Sequence, residues 1–421
     1  MNEIRIADLA EPELTEFQIS AREFGDTLTV SFDRDEILAD ACAEAGMSDY
    51  GPDDFLQRLD LICEDWGTDP TINGLGRFML RTQLVGYTRT RLLVMDYLKH
   101  HPDVHDIEIR QPIIVVGLPR TGTTHLVNLL AADSRMRSLP CWEASEPLPR
   151  PDDEMLPDGT DPRYQRSAEG WEMSVQSAPL IAAMHDMAPD TIDEEISLMY
   201  SDFSTYSFEW NSFAPRFRDH YYASDQLPRY EYLKTMLKLL LHRQPPDSPS
   251  RWVLKSPMHL ENLPELRAMF PDATYVMTYR DPVSVIQSAI TMLAYGQRMT
   301  RKSVRIAQLA EYWPDRIERL LRRMVEHFHL LPPEQRVDVH FHDFMADNAA
   351  VVRRVHETAE LPETEQSQRE ITDYVGANPR GKHGQIVYDL EGDFGVNPSK
   401  MRQRFKFYFD AFGVKPEGEM G

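Results

Sequence analysis

Cysteine is scarce in this chain: Cys42, Cys63 and Cys141 are all there are in 421 residues. An odd number at unrelated spacings argues against a disulfide framework and a zinc site, and no metal is expected; it fits a reducing, cytoplasmic setting. Long apolar runs are missing as well. No stretch approaches the ~18 consecutive apolar residues of a membrane-spanning helix, so no transmembrane segment is expected. Residues 1–17 are acidic and hold neither a basic stretch nor an apolar core, so no secretory signal is expected either. Positive charge is in deficit: 45 Lys and Arg against 68 Asp and Glu leave a formal net charge of −23. Such a surface repels nucleic acid and sulfated polysaccharide, which are therefore not expected partners. An anionic ligand would have to be held by locally placed Arg and Lys. Internal repeats and low-complexity tracts are also lacking.

What is present is organised around residues 112–126. Residues 112–116 (Pro-Ile-Ile-Val-Val) are apolar and mostly β-branched, and a turn signal follows, as in a buried parallel strand. Gly117 and Gly122 bracket a loop whose backbone can approach a ligand closely. Thr121, Thr123 and Thr124 add hydroxyls, and Leu126, Leu129 and Leu130 begin a helical apolar stripe. A helix starting straight after such a loop offers unpaired N–H groups and a positive dipole end to a phosphate or sulfate. The ATP- and GTP-binding loop, G-x-x-x-x-G-K-[ST], has the same glycine spacing. Here Thr123 stands where its Lys would be, and the basic residue is Arg120.

Pro119-Arg120-Thr121-Gly122-Thr123-Thr124 resembles the phosphosulfate-binding loop of sulfotransferases that use 3′-phosphoadenosine 5′-phosphosulfate (PAPS), whose common form is P-[KR]-[ST]-G-T-[ST]. The resemblance implies that these residues bind PAPS, with Arg120 also assisting transfer. Residues 133–143 end in Trp142-Glu143, similar to a run in bacterial members of the superfamily. In some relatives a Glu in the corresponding segment is taken as general base, which makes Glu143 the first candidate. The chemistry agrees, since an acceptor hydroxyl must lose its proton as its oxygen attacks sulfur. His185, followed by the acidic group Asp193-Glu194-Glu195, is the second candidate. Lys255 ends an apolar strand and matches the Lys that touches the transferring group in cytosolic sulfotransferases. It would stabilise charge on the bridging oxygen. Pro257 occupies the position of their catalytic His, so the base must come from elsewhere; His259, two residues on, stays open. Arg280 follows the strand 273–279, with Asp281 read as a helix N-cap and Pro282 as the first helical residue. Arg280 and Ser288, eight residues apart, match the superfamily pair that grips the 3′-phosphate of the cofactor. Arg380, Gly381 and Lys382 resemble the basic Gly loop that closes over it.

The resemblance covers residues 109–415 and implies a three-layer α/β fold of P-loop type, a parallel sheet flanked by helices. Residues 1–108 read as an N-terminal helical extension, with helices over 33–46, 53–66 and 78–98, that packs on the core, covers the site or self-associates into a homo-oligomer. Residues 109–421 read as the PAPS-binding domain, carrying a helical insertion over 145–250. Further helices are expected over 259–270, 310–328, 347–359 and 398–412. Met and aromatic residues in the insertion are either core or the wall of an apolar acceptor pocket. The implied function is in-line transfer of a sulfuryl group from PAPS to the hydroxyl of a small or lipid-like acceptor. A nucleotide kinase or NTPase, and a non-catalytic PAPS- or nucleotide-binding module, are the alternatives.

Overall fold

The computed structural model describes residues 3–378 and 384–417. Five parallel strands form the central sheet in the order β3-β4-β2-β5-β6, where β2 is Ile113–Val116, β3 Met136–Arg137, β4 Arg251–Lys255, β5 Thr274–Tyr279 and β6 Arg336–His340. The central strands β2, β4 and β5 are buried on both faces, as their near-continuous apolar sequences require. Period-two alternation divides their side chains. Ile113, Val115, Val253 and Val276 pack on one face with Leu126 and Leu130 of α5 (Thr123–Ala131) and Val351 and Val355 of the helix Asn348–Thr358. Ile114, Val116, Leu254 and Met277 face the opposite layer, with Leu237 and Leu240 of the helix Leu227–Arg243 and Ile286 and Ile290 of the helix Pro282–Thr300. The result is the expected three-layer α/β arrangement.

Before the sheet come α1 (Glu16–Asp26), α2 (Arg34–Ala45), α3 (Phe55–Gly67) and α4 (Gly74–His100). Ile37, Leu59, Trp66, Leu84 and Leu92 join the same core as the second face of the sheet. α4 begins four residues before the expected 78, because Asn73 caps it by accepting from the Gly76 N–H at 2.8 Å. The glycines there serve close packing: a Cβ on Gly76 would lie 2.3 Å from the Thr300 carbonyl. A second, two-stranded parallel sheet pairs β1 (Glu3–Arg5) with β7 (Gln385–Val387).

The helix expected over 259–270 is instead a 3-10 turn, Pro257–Glu261, followed by the helix Leu263–Met269. Pro264, with no N–H to donate, fits only in a first helical turn and so forces the restart. The helix expected over 398–412 is divided at Phe405 into Pro398–Arg404 and Lys406–Phe412. Cys42, Cys63 and Cys141 are free thiols. Among the described residues, no helix is long and apolar enough to cross a membrane.

Candidate active site

β2 is followed by Gly117, where a Cβ would lie 1.8 Å from the Thr278 hydroxyl of β5. Only glycine lets the two strand ends converge there. The loop then turns through two left-handed residues, Arg120 (φ +67°) and Gly122 (φ +85°), before α5 begins at Thr123. A non-glycine residue in this region is strained, so Arg120 stores backbone strain at the loop. Thr121 is buried, and its hydroxyl is engaged within the protein, at 2.7 Å from both the Leu118 carbonyl and the Thr278 hydroxyl. It therefore holds the loop in shape. Thr123 and Thr124 open onto empty space.

That space is two adjoining cavities. The first, about 550 Å³, lies beneath the loop and is bounded by His185, Asp193 and Glu194, by Tyr87 and Thr90 of α4, and by Tyr200, Tyr206 and Trp210. The second, about 660 Å³, runs across α5 to Arg280, Ser284 and Ser288, and out to Phe341 and Tyr388. Arg120, Thr123 and Thr124 border both. Arg120 Nε donates to Ser288 Oγ at 3.1 Å, and its Nη1 donates to the Met184 carbonyl at 2.5 Å.

Asp281 caps the helix Pro282–Thr300, accepting from the Val283 N–H at 2.9 Å. Arg280 thus sits at the carboxyl end of β5, where its guanidinium stacks 3.9 Å from the Phe341 ring centroid and donates to the Arg120 carbonyl at 2.5 Å. Arg120, Arg280 and Ser288, far apart in the chain, meet at one cavity. Arg380, Gly381 and Lys382 lie outside the described residues.

Behind the wall of the first cavity, Lys255 comes from the end of β4 and reaches Glu194, which lines it. Its ammonium donates to Glu194 Oε1 at 2.6 Å, and its backbone N–H donates to Glu195 Oε2 at 2.7 Å. The Lys255 side chain is 3% exposed and that of Glu194 19%, so the pair is open to solvent only on the Glu194 side. Burial raises the Glu194 carboxyl above the usual glutamate range, with Lys255 pulling the other way; Asp193 is raised by burial as well. His185 is pushed down to about 4 by burial and by the nearby Lys255 and Arg120, and is neutral at pH 7. His259, left open as a base, is fully buried. Its ring bonds Glu195 at 2.5 Å and Tyr230 at 2.8 Å. It positions Glu195, which in turn fixes the Lys255 backbone.

Glu143, the expected base, is held elsewhere. It lies on the five-residue helix Cys141–Ser145, whose Ala144 and Ser145 line the first cavity while the Glu143 carboxylate turns away to an ion pair with Arg137. Arg137 in turn stacks 4.7 Å from the Trp252 ring centroid and donates to Gln244 at 3.1 Å. On a helix, successive residues point about 100° apart, so neighbours on the cavity wall do not bring Glu143 with them. Glu194 was within the acidic group visible in the sequence. Its chemical signal was a carboxylate inside an otherwise Met- and aromatic-rich stretch. Ser284 and Tyr388 carried no sequence signal. Away from this site, His101, Asp103 and His242 have donor atoms within 4.8 Å of one another, and the two His242 ring nitrogens bond Tyr97 and Asp103.

The sequence matches the Sulfotransferase family over residues 112–365, and the chain belongs to that family. Among solved structures it is similar to the sulfotransferase STF1 of Mycobacterium tuberculosis H37Rv, with 28% identity and a TM-score of 0.76 over 90% of this chain and 99% of that one. It is also similar in fold to the sulfotransferase STF9 of Mycobacterium avium, at 24% identity and a TM-score of 0.81 over 94% of this chain and 99% of that one. No curated protein matches the sequence significantly.

Proposed function

We propose that this sulfotransferase takes its sulfuryl group from PAPS and passes it to the hydroxyl of a small or lipid-like acceptor. One observation carries the reading. The nucleotide-sized cleft with Arg280, Ser284 and Ser288 and the aromatic cavity with Glu194, itself paired to Lys255, share one border, formed by Arg120, Thr123 and Thr124. A phosphosulfate laid across that border has its nucleotide in one cavity and its sulfur facing the other. The donor set fits the group: a guanidinium fork and serine hydroxyls suit a phosphate monoester, and the α5 N-terminus suits the phosphosulfate.

In this reading Glu194 is the general base. A carboxylate whose proton affinity is raised by burial is better matched to an alcohol than an exposed one. It takes the acceptor proton as the acceptor oxygen bonds to sulfur and the bond from sulfur to the bridging phosphate oxygen breaks. Lys255 and Arg120 stabilise the charge gathering on that bridging oxygen, which leaves with adenosine 3′,5′-bisphosphate. Neutral His185 is placed to hydrogen-bond the acceptor. The cavity rings favour an apolar acceptor, with Tyr87 and Tyr200 stacked at 4.5 Å between centroids and 7° between planes. Paired acidic groups and an acidic surface disfavour a polyanionic one. We further propose that residues 1–108 act as a helical extension of a sulfotransferase domain over 109–421, since α4 supplies Tyr87 and Thr90 to the acceptor wall.

Calorimetric titration with adenosine 3′,5′-bisphosphate, beside ATP with magnesium, tests the reading. Binding of the bisphosphate that is lost in Arg280→Ala supports it. Binding of ATP with magnesium and no binding of the bisphosphate overturns it in favour of a kinase.

A further inference from the structure

The Arg280 clamp is filled by the chain itself. Glu417 accepts from Arg280 Nε at 2.7 Å through Oε1 and from Arg280 Nη2 at 2.9 Å through Oε2. Ser284 Oγ donates to the same Oε2 at 3.0 Å. This two-pronged pairing is the way a guanidinium grips a carboxylate or a phosphate alike. The remaining Arg280 nitrogen, Nη1, is already committed to the Arg120 carbonyl, so the fork has room for one anion.

A latch holds the segment in place. Glu417 N–H donates to Asp281 Oδ2 at 2.9 Å, Arg402 Nε donates to the same oxygen at 3.0 Å, and Arg402 also donates to the Glu417 carbonyl. Asp281 is thus shared between the helix cap and the latch. The contact is also accessible: the Arg280 and Glu417 side chains keep 21% and 19% of their exposure. Burial disfavours the charged Glu417 carboxylate, but hydrogen bonds from Arg280 and Ser284 outweigh it and keep it ionised at neutral pH.

We propose that Glu417 is a built-in competitor for the 3′-phosphate, occupying Arg280 and Ser284 when the nucleotide is absent and yielding them when it binds. The inference rests on the assignment of Arg280 to that phosphate. Two anions cannot share one fork, so the segment carrying Glu417 swings aside as the nucleotide binds and returns as the bisphosphate product leaves. The closed state lowers the apparent nucleotide affinity by the fraction of molecules that are open. It also gives the product a resident replacement for its strongest contact. A nucleotide without a 3′-phosphate leaves Glu417 where it is and feels no competition.

Calorimetry of the full chain and of Glu417→Ala, each with adenosine 3′,5′-bisphosphate and with adenosine 5′-phosphate, tests this. The expected result is bisphosphate binding tightened on the order of tenfold in the variant, as removal of a competing closed state predicts. Binding of the monophosphate should change by less than about twofold. Glu417→Gln, which keeps the shape and loses the charge, should tighten the bisphosphate in the same direction. Equal bisphosphate affinity in wild type and Glu417→Ala would overturn this inference and leave the proposed donor standing. Equal tightening of both nucleotides would also overturn it, because the effect would not depend on the 3′-phosphate. Absence of bisphosphate binding in every protein would overturn the proposed donor and this inference together.

Discussion

Replacing Glu194 with Gln removes the proton acceptor and the negative charge that faces Lys255 while keeping the shape of the side chain. The side chain is isosteric, its amide oxygen can still accept from Lys255 across the present 2.6 Å, and Glu194 lies on the cavity side of the pair, so the fold is retained. Loss of general base catalysis costs about 10²–10⁴ in rate, equivalent to about 2.7–5.5 kcal/mol in the barrier. Glu194 borders the acceptor cavity and not the nucleotide cleft, so the affinity for adenosine 3′,5′-bisphosphate should hold within about twofold. The assay is transfer to a simple phenol or alcohol acceptor, followed across pH. Wild type should show a limb in kcat/KM that rises with pH and is centred above the ordinary glutamate range, because burial raises the carboxyl. Glu194→Gln should lose that limb along with the rate. His185, held down to about 4, cannot supply a limb near neutrality. Glu143→Gln is the matched control: it breaks the Arg137 pair away from the cavity and should leave kcat unchanged. If Glu194→Gln kept turnover within about threefold while Glu143→Gln lost it, the assignment of the base made here would be refuted.

Two further outcomes follow from the same geometry. Gly117→Ala drives a methyl group into the Thr278 hydroxyl, 1.8 Å away, and should lower stability by about 1–3 kcal/mol, the usual cost of overpacking. Denaturant unfolding would measure it, and nucleotide affinity should fall as well, since Thr278 also braces Thr121; an unchanged unfolding midpoint would count against the tight convergence of β2 and β5. His185 is neutral in the folded protein and titrates at about 4, against about 6.5 when unfolded. Between these values the unfolded state binds more protons, so the His185 contribution to stability falls as pH drops from about 6.5 toward 4. The stability difference between wild type and His185→Gln should therefore shift against wild type from pH 7.5 to pH 5, and a pH-independent difference would contradict the burial of a neutral ring.

The order of strand, loop and helix from residue 112 to residue 130 is legible in the sequence because each element is set by local rules. β-Branched residues favour the strand, glycines permit the turn, and a 3.6-residue stripe makes the helix. The same holds for Asp281 and Pro282, whose cap and first-turn roles are decided within a few residues. From such segments the three-layer α/β class follows, since buried parallel strands need helices on both faces. Local rules are weaker where packing chooses between conformations. The first turn of α4, before the expected residue 78, is set by packing, with Gly76 against the Thr300 carbonyl.

Only the tertiary structure decided which carboxylates meet which cations. Lys255 and Glu194 are 61 residues apart, and Arg280 and Glu417 are 137 apart. No periodicity links such pairs, because their approach depends on how whole layers stack. Glu143, by contrast, is close in sequence to cavity-lining residues and still faces Arg137, because one step along a helix turns a side chain by about 100°. The sequence by itself determined the fold class and the residue types able to bind an anion. The packing of distant segments determined which acid faces the acceptor cavity and which one fills the phosphate clamp.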